Sequence, residues 1–323
     1  MKKAFSLIEL IFVMVILGIV ASLSSQIIVQ VYDNYLTQRA LYNTTTKTEM
    51  VANQIVNRLT FAIDGTTITK EVDNYGTPTG GFIEGTDWIM LRDIGAAGTK
   101  FTTVEWIGYD NDSFAAGATP YWSGVADYTT ATRDSFVSPG SDFSNVATIM
   151  TNLSNGEVDL TTSHPAAIIF AQQDNEYRDG MEYTPLCMGL IDTGNTSCIF
   201  PVSNTTPLVP NDNNLTFTRV SDPNNATTLA KIVSERYKMA WSAYAIVPEL
   251  NSEGLHDLFL YYNYQPWNRE KYKVHASKSL LMKNISVFKF TENGGVIQFK
   301  LCGSENIGAD YNISSCKEKA IIK

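Results

Sequence analysis

The first thirty residues limit this chain more than any other stretch. Met1-Lys2-Lys3-Ala4 is a short basic leader ending in a small residue, Phe5-Ser6-Leu7-Ile8-Glu9 follows, and an apolar run extends from Leu10 to Ala21. The segment from Phe5 to about Ile28 is apolar enough to span a bilayer, which needs ~20 residues. Ser22, Ser24, Ser25 and Gln26 thin its second half, and a kink is expected near Ser22–Ser25. Lys2 and Lys3 before the span, with no basic run after it, place the N-terminus in the cytoplasm and the rest of the chain outside the inner membrane. In an ordinary secretory signal the small-residue cleavage site follows the apolar core. Here Ala4 precedes it, so a cut after Ala4 would leave the helix on the mature protein. Glu9 is a carboxylate inside an apolar segment, where ionisable groups are costly and usually have a partner or a function. It also lies near a helix N-terminus, which favours negative charge. A cut after Ala4 would create an α-amine on Phe5 at the same depth, which Glu9 would neutralise in its own chain or a neighbour's. The plainer alternative is a helix-end carboxylate at the lipid interface.

Lys2, Lys3, Ala4, Phe5, Leu7, Ile8, Glu9 and Leu10 together resemble the class III signal of type IV pilins and type II secretion pseudopilins. That resemblance implies cleavage between Ala4 and Phe5 by the prepilin peptidase, N-methylation of Phe5, and a charge-pairing role for Glu9 in assembly. The family usually has Gly where this chain has Ala4.

Beyond the span, Val31, Tyr35, Ala40, Thr44, Thr48, Val51, Ile55, Leu59 and Ala62 recur at helical spacing, and no proline falls between Phe5 and Ile63. Asp64-Gly65 supplies a stop. The expected organisation is a leader (1–4), a membrane or filament-core helix (5–29), its amphipathic continuation (30–63) and a β-rich head (64–323). Residues 64–165 look like a loop-rich insertion with short strands around Trp88–Leu91 and Val104–Ile107. A short helix is expected within Phe136–Leu153, with Ser144 as its cap. Trp88, Trp106 and Trp122 are expected in the core. The strand signal sharpens at Ala167–Phe170, within Leu229–Val247, at Leu258–Tyr264, and at Ser279–Phe290 and Val296–Leu301, which flank a Glu292-Asn293-Gly294-Gly295 hairpin turn. The fold class is α+β, a long N-terminal helix packed on a mostly antiparallel sheet. This order is similar to the pilin fold. The segments Leu280–Phe290 and Asn53–Leu59 resemble J-type minor pseudopilins and W-type minor pilins more loosely.

Four cysteines allow three connectivities. The expected one is local, Cys187–Cys198 with Cys302–Cys316, because it closes short loops in an exported chain. The second pair also resembles the C-terminal disulfide loop of pilins. The formal charge of −9 makes nucleic acid an improbable partner, since phosphate-backbone affinity comes from Lys and Arg. Arg269, Lys271 and Lys273 form a local basic exception. No phosphate loop, nucleophile elbow or zinc-protease motif is present, so neither an enzyme nor a cofactor is expected. Asp110, Asp112 and Asp212 lie in Asx-rich stretches that offer weak oxygen ligands for Ca²⁺ but are more often plain turns. Asn214 and Asn312 head triplets with Asp212 and Asp310 two residues before, which resemble the extended bacterial glycosylation sequon.

The resemblance implies a structural subunit that primes or caps a pseudopilus or pilus. Its partners would be major and minor pilins, the prepilin peptidase, the inner-membrane assembly platform and lipid. The alternatives are a pilus-tip adhesin or DNA-uptake receptor and a membrane-anchored periplasmic hydrolase.

Overall fold

The computed structural model describes residues 7–72, 81–96, 100–132, 134–170, 187–196, 198–204, 209, 211–217, 234–307 and 312–322. Its first element, α1 (Leu7–Thr60), is one helix of 54 residues that continues through Ser22–Ser25 without a break. At ~1.5 Å per residue it is roughly 80 Å long. The head covers only its second half. Ala40, Thr44, Thr48, Val51, Ala52, Ile55 and Leu59 are buried, at the spacing of one helix face. Val31 and Tyr35 continue that face in sequence but are exposed, because the sheet beneath α1 does not extend that far. The buried Thr48 hydroxyl donates to the Thr44 carbonyl at 2.7 Å, so a polar residue enters the core without an unmet bond. After Thr60 the chain turns, and Gly65 takes the left-handed φ of +76° that ends the helical path.

The sheet under α1 has eight antiparallel strands. In chain order they are β1 (Ile68–Glu71), β2 (Trp88–Met90), β3 (Phe101–Ile107), then β9 (Ala243–Leu250), β10 (His256–Tyr264), β11 (Ser277–Asn293), β12 (Val296–Asn306) and β13 (Asn312–Ile322). Their spatial order is β13-β12-β11-β10-β9-β3-β1-β2. β11 and β12 form a hairpin whose two-residue loop is Gly294-Gly295, at φ +58° and +77°. Positive φ at both loop positions matches a type I′ turn, the form whose twist suits a hairpin. Glu292 and Asn293 remain in the strand. β3 and β9 are direct neighbours, with Val104 opposite Ile246 and Trp106 opposite Tyr244. Everything between them, residues 108–242, is therefore an excursion from one paired strand to the next.

That excursion is the insertion, and it is not the loop-rich stretch at 64–165 that the sequence suggests. β1, β2 and β3 belong to the main sheet. The insertion builds a second sheet of five antiparallel strands in the order β4-β7-β6-β5-β8: β4 (Ser135–Val137), β5 (Ala166–Phe170), β6 (Phe200–Asn204), β7 (Asn214–Phe217) and β8 (Tyr237–Ala240). Among its described residues it also carries the helices α2 (Asn111–Phe114) and α3 (Phe143–Ser154). Asp142 caps α3 by accepting from the Asn145 amide, so the cap lies two residues before the expected Ser144. Of the strand expected within Leu229–Val247, residues 229–233 lie outside the described residues, and the remainder splits into β8 and β9.

Three apolar cores lie one above another. The first lies between α1 and the main sheet, with Ile55, Leu59, Trp106, Leu260, Phe288 and Leu301. The second lies between the two sheets, with Ile68, Trp88, Ile107, Ile169, Ala243, Val247 and Tyr264. The third lies within the insertion, with Trp122, Phe136, Phe143, Met150, Ile168 and Tyr237. The β5 sequence Ala-Ala-Ile-Ile-Phe follows from this arrangement. Alternate residues face opposite sides of a strand; Ala167 and Ile169 enter the middle core, whereas Ala166, Ile168 and Phe170 enter the outer one. A strand buried on both faces has no polar position.

Polar contacts pin these layers at several places. Between the sheets, Lys70 pairs with the buried Glu105 at 2.5 Å, Glu105 accepts from the Tyr264 hydroxyl at 2.8 Å, and Lys70 also donates to the Leu190 carbonyl at 2.9 Å. Burial, then the Glu105 charge, pushes the Tyr264 hydroxyl far above its usual range, so it stays a donor. On the helix side, Glu49 of α1 pairs with Lys317 at 3.2 Å and Lys319 at 2.5 Å on β13, and the Thr45 hydroxyl reaches Ser315 at 3.1 Å. Gly303 on β12 lies where the Met282 methyl packs against the sheet, and any Cβ there would meet it.

The structure contains both Cys187–Cys198 and Cys302–Cys316. The second joins directly opposed residues of β12 and the edge strand β13. Replacing both of its cysteines (Cys302→Ala with Cys316→Ala) is expected to lower stability by about 3 kcal/mol, the magnitude for a closed loop of ~15 residues. Amide exchange should also accelerate over 312–322. Chemical denaturation and hydrogen-exchange mass spectrometry check the two effects.

Candidate functional site

From Leu7 to Tyr35 every residue of α1 is exposed on the isolated chain. This stretch includes Ile8, Leu10, Ile11, Phe12, Val13, Met14, Ile16, Leu17 and Ile19 on all sides of the helix. A helix that is apolar all round and covered by nothing in its own chain needs lipid or other helices around it. The length and composition of α1 satisfy those of a membrane span, with none of the most apolar window buried. At ~1.5 Å per residue the projecting part is roughly 43 Å long, more than a hydrocarbon core of ~30 Å.

Glu9 stands in the first turn of α1. No other charged residue occurs between it and Asp33. Two effects favour a carboxylate there: the partial positive charge of the helix end and any cation brought to the same depth. Ala4 and Phe5, the residues on either side of the expected cut, lie outside the described residues.

Residues 1–25 match the family model described as the prokaryotic N-terminal methylation motif. The chain fits the type IV pilin and pseudopilin family. No curated protein and no solved structure matches it. The assignment therefore rests on the motif together with the pilin-like order of long helix and antiparallel sheet. Pilins of this type are structural subunits, and the family implies processing by the prepilin peptidase and assembly with other pilins.

The remaining candidate residues of this pilin-like chain have mostly structural surroundings. Asp110 is buried at the point where β3 enters the insertion. Its carboxylate accepts from the Ser113 amide and the Trp122 indole, each at 3.1 Å, and so caps α2. Tyr109, Phe114 and Trp122 surround it with rings about 5–6 Å apart. Asp112 is exposed on α2, and Asp212 accepts from the Asn214 amide at 3.0 Å in the turn that starts β7. Among the described residues, no three His, Cys, Asp or Glu side chains converge as a metal-ligand group. Asn214 is half-buried at the start of β7 and Asn312 is exposed at the start of β13, whereas Asp310 lies outside the described residues.

Sequence reasoning did not single out Lys70, Glu105 or Glu49. Glu105 carries a readable signal, a lone carboxylate inside Val104-Glu105-Trp106-Ile107. Its partner comes from β1, 35 residues earlier, and nothing in the local sequence specifies that pairing.

Burial pushes the Asp110 carboxyl up to about 6 from its ordinary 3.8, with Asp112 adding to the shift and the bonds from Ser113 and Trp122 opposing it. A carboxyl whose pKa is higher in the fold than in the unfolded chain stabilises the fold while protonated. That contribution is complete below the unfolded value and is lost as pH rises through about 6. Stability of the insertion should therefore fall between about pH 4 and about pH 7, by up to roughly 3 kcal/mol. Asp110→Asn, which does not titrate, should flatten the dependence. Thermal melts across that pH range, followed by Trp fluorescence, check it.

Proposed function

We propose that the chain is a minor pilin or pseudopilin, most like the J-type and W-type subunits, that primes or caps assembly of a type II secretion pseudopilus or type IV pilus. The observation that carries this reading is the division of α1. One half is a bare apolar helix with a single early carboxylate, and the other half is buried in a large head. In the precursor the bare half lies in the inner membrane, with the N-terminus cytoplasmic and the head periplasmic. The prepilin peptidase cuts between Ala4 and Phe5 and methylates the new amine.

The rest of the mechanism follows from moving that half-helix from lipid into a bundle of like helices. Apolar surface is equally well accommodated in both, so side-chain packing and polar pairing decide association. The Phe5 amine and the Glu9 carboxylate, on one subunit or between neighbours, neutralise each other, which lowers the cost of keeping either charge at that depth. The head stays in water throughout. Its second sheet adds bulk that is best tolerated where no further subunit sits above it, which supports a terminal position. The platform and partner pilins engage the helix and the base of the head.

Intact-mass and N-terminal peptide analysis of membrane-extracted protein, with and without the prepilin peptidase, tests this reading. The expected mature start is N-methylated Phe5, lost without the peptidase. A chain that still starts at Met1, or one cut beyond α1's apolar half, overturns it. Glu9→Leu should be cut normally yet reduce co-purification with partner pilins at least ~tenfold, equivalent to ~1.4 kcal/mol.

A further inference from the structure

Between its bare apolar half and the part covered by the head, α1 carries tyrosines on one side only. Ile28, Tyr32, Tyr35, Arg39, Tyr42 and Thr46 follow one another at alternating steps of four and three residues. That alternation is the seven-residue repeat of a coiled-coil seam, with Tyr32, Arg39 and Thr46 at a positions and Ile28, Tyr35 and Tyr42 at d positions. At ~100° per residue, Tyr32 to Tyr42 of the seam fall within an arc of about 80°. The buried face that runs from Ala40 to Leu59 is centred on the opposite side of the helix. The seam therefore points away from the head. All of its residues are exposed, with Tyr32, Tyr35 and Tyr42 at 60%, 56% and 71%.

Arg39 is the charged residue of this seam. The positions three and four residues away are Tyr35, Leu36, Tyr42 and Asn43, so its own helix offers no carboxylate at pairing distance. Among the described residues no carboxylate elsewhere pairs with it. The surroundings of the seam say what covers it. A bilayer surrounds a helix evenly, whereas the aromatic residues between Gln30 and Thr46 all lie on one side. Tyr42 also stands ~15 Å beyond Tyr32 along the axis, more than the interfacial layer of roughly 5–8 Å in one leaflet. Lipid accounts for neither feature. A helix lying alongside accounts for both, and it continues a contact that the bare half of α1 already needs.

We propose that this seam receives a parallel α-helix from a different chain, one with a carboxylate at the level of Arg39. The tyrosines supply large, rigid contact area for the helix packing. The arginine selects the partner. A second copy aligned in the same membrane would set Arg39 against Arg39 at an a position, where like charges disfavour pairing. A carboxylate there turns the same position into an ion pair that fixes the register of the two helices. The seam rests on the filament reading for the presence of a partner helix anchored in the same membrane. Seam pairing can fail while Phe5 is still released and methylated, so the two readings fail separately.

The test supplies the matching charge on the same chain. Full-length chains with two different affinity tags are co-expressed in a host lacking other pilins. One keeps Arg39, the other has Arg39→Glu, and each carries Thr46→Cys. The native cysteines are all in disulfides and add no free thiol. Spheroplasts are oxidised with copper phenanthroline in air, and cross-linked pairs are sorted by tag. Mixed pairs are expected at least ~threefold beyond the ratio of random pairing, the scale of one exposed ion pair. The excess should disappear as salt approaches ~1 M, where the screening length is ~3 Å. Tyr35→Ser with Tyr42→Ser should reduce mixed pairs to the level seen when the thiol is moved off the seam, in Asn34→Cys. All these positions are exposed and outside the head, and an unchanged melting curve of the purified protein verifies folding. Mixed pairs at the random ratio, equal yields through Thr46→Cys and Asn34→Cys, no cross-linked pairs, or no effect of the tyrosine substitutions overturns the proposal.

Discussion

The burial of α1's second half in the main sheet is the contact on which the rest of the molecule depends. Ile55 and Leu59 reach Trp106 and Leu260 in the same core to which Phe288 and Leu301 contribute, so strands from both ends of the chain are gathered on one helix face. Because the first half of α1 continues from that face without a break, whatever holds the apolar half also sets the position of the head. The helix is core and anchor in one rigid element, and a kink at Ser22–Ser25 would have uncoupled the two roles.

The insertion is compatible with this frame because of where it leaves and returns. β3 and β9 are neighbours in the main sheet, so the excursion begins and ends at one place and interrupts no pairing. Its second sheet covers the face that α1 does not. The shared middle core, with the Lys70–Glu105–Tyr264 cluster at its buried centre, joins the layers. A buried ion pair is weak evidence for added stability but strongly penalises misalignment, since moving either partner leaves a charge alone in an apolar layer. All three residues belong to the main sheet, so the cluster aligns β1, β3 and β10 with one another, and Lys70 reaches the insertion through the Leu190 carbonyl.

The sequence was most readable where a physical period was long or a chemical requirement strict. The buried positions of α1 from Ala40 to Leu59 follow the helical repeat, and the Gly294-Gly295 hairpin is marked by its turn chemistry. The two local disulfides follow from loop length. The second sheet was not readable in the same way. Its strands have three to five residues, and β5 pairs with β8 some seventy residues later, Ala167 opposite Ala240. Such pairing leaves no local trace. β13 escaped for a different reason. Its Lys317-Glu318-Lys319 run carries no apolar alternation, and its two lysines find their partner in Glu49 of α1, far away in sequence. Val31 and Tyr35 show the opposite error: a helical period continues past the end of the surface that would use it. At the N-terminus the methylation motif was legible because its order, small residue before apolar core, has few physical uses.

The attachment of β13 to α1 also bears on the order of events during folding. Glu49 and Lys319 lie 270 residues apart, so the core that α1 needs is completed only after almost the whole head has been made. Contacts of such sequence separation form late and slowly. Until then the stripe from Ala40 to Leu59 lies open beside the bare apolar half of the same helix. Closure of the β12–β13 pair, joined by Cys302–Cys316, finishes the surface that covers this stripe.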